Sequence, residues 1–184
     1  MIVLAVLALL AACGSGTPSS GAGPTLAPLS GVATTAPTVS TTATVRPTGF
    51  AATTARLTEP DGSVCERCLL LASTIAEHQR GLMGVTSLGG YDGMAFEYAA
   101  PSRAAYWMKD TVLPLSIAFY APTGDRVGAF AMDPCAADPC PSTGPADPFT
   151  VAVEVAQGRL DELGFTASAR LELLHLPCDP GGAG

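Results

Sequence analysis

Residues 115–132, LSIAFYAPTGDRVGAFAM, decide the fold. Leu115, Ile117 and Phe119 alternate with Ser116, Ala118 and Tyr120, the period of two that puts successive side chains on opposite faces of a strand. Pro122 and Gly124 in APTGD then separate this run from a second, Asp125–Met132, so the two read as a hairpin. The same period extends outward in both directions. Met94, Phe96 and Tyr98 alternate with Gly93, Ala95 and Glu97, and Val151, Val153 and Val155 with Ala152 and Glu154. Strands are also expected at 68–73, 104–110 and 169–174. Helical signals are short. In STIAEHQRG, Ser73 or Thr74 supplies an N-cap, Glu77 completes a capping box with Thr74 and Gly81 ends the turn; QGRLDELG gives about two turns stopped by Gly164. Half-buried strands joined by short turns predict a mostly β fold: a small antiparallel sandwich or barrel-like domain with two short helical segments.

This domain is expected over residues 58–184, long enough for one hydrophobic core. All sixteen acidic residues lie from Glu59 onward, with only seven of the nine Lys and Arg. That balance argues against nucleic acid as a partner and against a polybasic membrane patch, because both need clustered cations.

The N-terminal residues look like an address rather than a structural element. Ile2–Leu10 is an apolar run of nine residues, too short for a spanning helix of about 20 but suited to a secretory signal. No Lys or Arg precedes it, which marks a weak signal or a start further upstream. Leu10-Ala11-Ala12-Cys13 closes it and resembles the lipobox of bacterial lipoproteins, in which the cysteine is acylated. Residues 1–13 are therefore read as a lipoprotein signal with lipidation at Cys13. Residues 14–57, rich in Thr, Ser, Pro, Ala and Gly, are read as a disordered tether that holds the domain away from the membrane. The expected location is extracytoplasmic, with the protein anchored in the cell membrane by lipid.

Five motifs in order, RGLMG (80–84), DGMAFEY (92–98), YWMKDTVLPLSIAF (106–119), MDPC (132–135) and VAVEVAQG (151–158), resemble the bacterial and archaeal domain of unknown function 192 over about residues 68–174. The resemblance implies a small mostly-β fold, often exported, with no established activity. The family's WMKNT motif falls on Trp107 to Thr111, with Asp110 where Asn is usual. Its PLD motif falls on Pro114 to Ser116, with Ser116 where Asp is common, so a mechanism that needs a carboxylate at that position does not carry over.

Trp107 and Lys109 are the only tryptophan and the only lysine of the chain, two positions apart. On a strand they share one face, and Tyr106, Met108 and Asp110 take the other. With Arg80, Thr111 and Glu154 they form the expected ligand-binding set, an aromatic surface with an ammonium and a carboxylate around it, suited to a small polar ligand such as a sugar or an acidic group. The competing reading makes Trp107 a core anchor. Catalysis by Lys109, Asp110 and Glu154 needs a lysine nucleophile with a depressed pKa and a carboxyl acting as acid or base. The histidines, His78 and His175, complete no nucleophile–base motif. Met83, Met94 and Met108 suit packing better than a soft metal site, so neither a metal nor a cofactor is expected.

Lipidation of Cys13 leaves five cysteines in a disulfide-permissive compartment. Cys135 and Cys140 flank a short loop that a bridge would close, and Cys178 pairs with Cys68 or Cys65, leaving one thiol over. A redox CxxC at Cys65–Cys68 and a four-thiolate zinc site are the poorer readings. The function expected from all this is a ligand-binding or accessory module of the cell envelope, partnered by the membrane and by a small polar ligand or envelope component. An enzyme acting on envelope glycans or polar metabolites and a structural interaction module are the alternatives.

Overall fold

The computed structural model describes residues 45–181. In chain order its elements are β1 (Ala51–Thr58), β2 (Val64–Ala72), α1 (Ile75–Arg80), β3 (Gly93–Ser102), β4 (Tyr106–Trp107), β5 (Leu115–Tyr120), β6 (Arg126–Met132), β7 (Ser142–Thr143), β8 (Phe149–Ala156) and β9 (Arg170–Leu173). The lipobox and most of the expected tether lie outside the described residues.

The domain is mostly β, but three features of the expected fold are corrected. The strands form one seven-stranded sheet, ordered β6-β5-β8-β3-β2-β1-β9, with β4 and β7 pairing as a separate ribbon; among the described residues no sheet closes into a barrel. The turn before β6 does reach the far edge, where Leu171 donates to the Gly124 carbonyl at 2.9 Å, yet no ladder joins β6 to β9. The pairing is not wholly antiparallel either. β2 and β3 run parallel, Leu69 to Ala72 facing Gly93 to Phe96, because α1 and the loop after it form a crossover that a hairpin turn cannot replace.

The third correction concerns helix. α1 forms as expected: Thr74 caps it, accepting from the Glu77 amide, and the Glu77 carboxylate accepts from the Thr74 amide. The Glu77 carboxylate also accepts from the Ser73 amide, and that bond, with the one from the Thr74 amide, holds the carboxyl below its usual pKa. The second segment does not become helix. Arg159, Leu163, Gly164 and Phe165 donate to Ala156, Arg159, Asp161 and Leu160 respectively, a mixture of spacings that never propagates. The segment instead buries Leu163 and Phe165 against the sheet.

β1 was expected to belong to the disordered stretch up to residue 57, but it forms a strand at 51–58. Its Ala- and Thr-rich sequence has little to bury alone. Pairing with β2 on one side and β9 on the other supplies its hydrogen bonds and buries Thr53, Ala55 and Leu57. The expected strand at 104–110 shrinks to Tyr106–Trp107, paired with Thr143 and Ser142.

β5 is buried at every position, because both faces of the sheet are covered. One face packs Leu115, Ile117 and Phe119 with Met94, Phe96 and Phe149 beneath Leu82, Val85 and Met108. The other packs Ala118 and Tyr120 with Val153 and Val155 beneath Leu163 and Phe165. Each fully buried large side chain contributes about 1.5–3 kcal/mol. Edge-to-face aromatic contacts organise the first face: Phe96 with Tyr106 at 5.1 Å, Tyr98 with Phe149 at 5.3 Å and Phe119 with Phe149 at 4.8 Å between centroids. They fix the two tyrosines that border the site.

Candidate functional site

A cavity of about 100 Å³ opens on this aromatic face. The end of α1 supplies His78, Gln79 and Arg80; β3 supplies Phe96 and Tyr98, β4 supplies Tyr106 and Trp107, and Thr111 and Glu154 complete the wall. Glu154 reaches it through strand alternation: on β8, Val153 and Val155 enter the opposite core, so Glu154 shares the face of Ala152, opposite Met94 on β3 and Ile117 on β5. Its residue is 5% exposed. No hydrogen bond or ion pair reaches the carboxyl among the described residues, and burial alone pushes its pKa up to about 8. At neutral pH this carboxyl is mostly protonated and acts as both donor and acceptor.

The surrounding groups are held from behind. Tyr98 and Tyr106 share a hydrogen bond at 3.0 Å between hydroxyls. Burial, chiefly, and that bond raise the Tyr106 hydroxyl far above the ordinary phenol range. His78 turns Nε2 to the Ala72 carbonyl at 3.0 Å, and its ring lies 4.5 Å from that of Tyr98. Arg80 stacks over Phe50 at 4.0 Å and donates through Nη2 to the Gly49 carbonyl, which fixes the plane of its guanidinium.

Four of the five residues read as ligand-binding, Arg80, Trp107, Thr111 and Glu154, line the cavity. Trp107 is 50% exposed, so the core-anchor reading of it is set aside. Lys109 does not line this wall. Its ammonium lies 5.7 Å from the Trp107 ring and 2.9 Å from an Asp138 carboxylate oxygen. The Asp138 hydrogen bond raises the lysine pKa, opposite to what a nucleophilic amine needs. Asp110 acts through its main chain: its φ of 55° lies in the left-handed region, and its carbonyl accepts from Gly84. Asn and Asp tolerate that conformation best after Gly, the physical reason one replaces the other in this motif. Ser116 is buried and accepts from the Gly158 amide, away from the cavity.

Tyr98, Tyr106, His78 and Gln79 were not among the expected site residues. The alternation of β3 places Tyr98 two residues beyond Phe96 on the same face, and Tyr106 carries a hydroxyl on the strand face assigned to packing. His78 and Gln79 come from one turn of helix whose docking no local pattern reveals.

A larger cavity of about 480 Å³ lies beside the 135–140 loop, walled by Met108, Met132, Pro134 and Pro139 among others, with Asp133 its one charged side chain. Cys135 and Cys140 are bridged, and Cys68 pairs with Cys178. Cys65 is disulfide-bonded too, so the expectation of a thiol left over is corrected, and neither the zinc site nor the redox pair has the thiols it needs. Met94 and Met108 are buried in the core, and no cluster of three or more His, Cys, Asp or Glu able to hold a metal occurs among the described residues.

The profile of the DUF192 family, described as "Uncharacterized ACR", matches residues 58–173. Two crystal structures are similar. A Sinorhizobium meliloti 1021 protein described as a "putative transcription regulator" is 25% identical, with a TM-score of 0.59 over 71% of this chain and 99% of its own. A protein of unknown function from Novosphingobium aromaticivorans DSM 12444 is 28% identical, with a TM-score of 0.57 over 70% of this chain and 90% of its own. No curated protein matches the chain.

Proposed function

The chain belongs to the DUF192 family, whose description names no activity, and from the cavity itself we infer that the domain is a ligand-binding module for a small polar ligand. The observation that carries this reading is the Glu154 carboxyl, buried and without a protein partner on a cavity wall that also holds Arg80 and an exposed tryptophan. Among the described residues the carboxyl meets the cavity and no polar partner, so a ligand seated there pairs with it in place of solvent. Among the described residues no helix is long and apolar enough to cross a membrane. We further propose that the module is exported to the outer face of the cell membrane, with the apolar run Ile2–Leu10 as its signal. Disulfides at Cys68–Cys178 and Cys135–Cys140 support an oxidising compartment. The transcription-regulator description of the Sinorhizobium protein does not suit this chain, whose acidic balance would repel a phosphate backbone.

The test uses Trp107, the single tryptophan, as reporter. Titration of the full chain with sugars, peptidoglycan fragments, organic acids, amino acids and amines is expected to give a saturable emission change for one class, with protection from acrylamide quenching. Silence across the panel, with crystals soaked in the same compounds showing only water in the cavity, would overturn the reading.

A further inference from the structure

The open edge of the large sheet carries a second site, independent of the cavity beside Glu154. We propose that the free side of β6, with the larger cavity next to it, docks an extended peptide that adds to the sheet as a further strand and brings a basic side chain to Asp133.

Hydrogen bonding sets the occupant's backbone. β6 lies at one end of the strand order and pairs only with β5. Among the described residues no other backbone hydrogen bond reaches residues 126–132, so the amides and carbonyls of its outer side are left to solvent. The opposite edge of the sheet is met by the turn before β6: the Leu171 amide of β9 donates to Gly124 at 2.9 Å, and Arg170 pairs with Asp125 at 2.8 Å. Edge strands are commonly guarded against pairing by a charge, a proline or a bulge. The one charge of β6 is Arg126, whose Nη1 turns to the Phe165 carbonyl at 2.9 Å, and its bulge lies before Gly128, which leaves residues 128–132 regular. Pro145 packs over Gly128 where a Cβ would stand, on the face of the strand and not along its edge. Phe130, 40% exposed, and the exposed Ala131 make the open stretch apolar.

The cavity sets the side chains. Ala131, Met132 and Asp133 line it in succession. Successive residues of a strand point to opposite faces, so a cavity that meets three in a row runs along the strand's edge, and the inner edge is already taken by β5, where Leu115 faces Met132. A peptide laid on residues 128–132 therefore runs into the cavity, whose volume is about 480 Å³. Met108, Met132, Pro134 and Pro139 offer it apolar contact. Charge gives the sign. Asp133 is exposed and is the cavity's one charged side chain, and its Oδ1 accepts from Gln157, which brings no charge. Asp138 on the same loop is already paired with Lys109. A basic side chain at the end of the added strand completes Asp133, so that main-chain bonds hold the peptide and its alternate side chains select it.

The experiment uses the full chain and short peptides capped at both ends: Val-Thr-Val-Arg-Val as probe, the same sequence with Glu for Arg, and the probe N-methylated at one or the other alternate set of residues. Amide hydrogen exchange of β6 and fluorescence anisotropy of labelled peptides are the readouts. Without peptide and at high dilution, the outer amides of residues 128–132 are expected to exchange freely, and the probe is expected to protect them. N-methylation of one alternate set is expected to weaken binding at least about tenfold, because it removes the donors that face the edge, while the other set is tolerated. Asp133→Asn is expected to weaken the Arg probe about threefold and to leave the Glu peptide unchanged, and Asp133→Lys to reverse the preference. Unprotected β6 amides up to millimolar probe, both N-methylated sets binding as tightly as the probe, or the Glu peptide binding as tightly as the Arg probe would overturn the proposal. Protection that grows with protein concentration alone would give the edge to a second copy of the chain, and protection at every dilution without peptide would mean that the chain covers its own edge; either result overturns it as well.

Discussion

Glu154 makes the protein's stability depend on pH in a direction unusual for a carboxylate. Burial raises its pKa from 4.5 to about 8, so between those values the folded state holds a proton that the unfolded chain has lost. Stability must then fall as pH rises through that window. The penalty is absent below pH 4.5, on the order of 3 kcal/mol by pH 7 and complete above pH 8. Glu154→Gln removes it, so urea denaturation at pH 5, 6.5 and 8 should show a stabilised variant at neutral pH with a flatter profile; an unchanged profile would mean the carboxyl finds a counter-charge. Asp110 offers a second test at this scale. With φ at 55°, Asp110→Asn should be neutral within about 0.5 kcal/mol and Asp110→Ala should cost about 1 kcal/mol. A costly Asn variant would mean that the carboxylate, not the backbone, is what the position needs.

At the scale of elements, β3 and β8 must approach closely to carry Met94 and Glu154 side by side. Gly93 permits this. A Cβ there would stand 2.2 Å from the Glu154 carbonyl oxygen and 2.9 Å from a Val155 methyl, and strand backbone cannot yield as a flexible side chain can. Gly93→Ala is therefore expected to cost on the order of 3 kcal/mol and to disturb the cavity wall, read as a lower denaturation midpoint together with altered Trp107 emission. An unperturbed midpoint would show that the ladder is looser than its register implies.

For the whole molecule, the Cys68–Cys178 bridge ties β2 to the segment after β9 across 110 residues of chain. The same segment is bound at Thr54, which donates to Leu176, and at Gly90, which accepts from Gly181. Constraint on the unfolded chain grows with loop length, so Cys68→Ser with Cys178→Ser should cost about 4 kcal/mol. Opening the Cys135–Cys140 bridge, whose separation is five, should cost about 2 kcal/mol. Equal losses would argue that native contacts, not loop entropy, dominate. The proposed export is tested by fractionation of the native host: the protein is expected outside the cytoplasm with its disulfides formed, and a cytoplasmic chain with reduced cysteines would overturn it.

The sequence by itself determined what depends on near neighbours. Alternation at 93–98, 115–120 and 151–155 marked three central strands, because side-chain period follows directly from strand geometry. The Thr74–Glu77 capping box also lies within one turn and was legible for the same reason. Motif order revealed the family, and two singletons pointed to the strand beside the cavity. Only the tertiary structure decided the rest. β1 is a strand because β2 and β9 pair with it, which its own Ala and Thr could not announce. Residues 157–164 turn rather than coil because Leu163 and Phe165 are drawn into a core. Lys109 and Glu154, equal candidates in the chain, were separated by packing: Lys109 is bound to Asp138 at the surface, and Glu154 is sealed between strands facing a cavity. Desolvation and pairing, the quantities that set a carboxyl's chemistry, depend on residues far away in sequence, and they exist only once the sheet has formed.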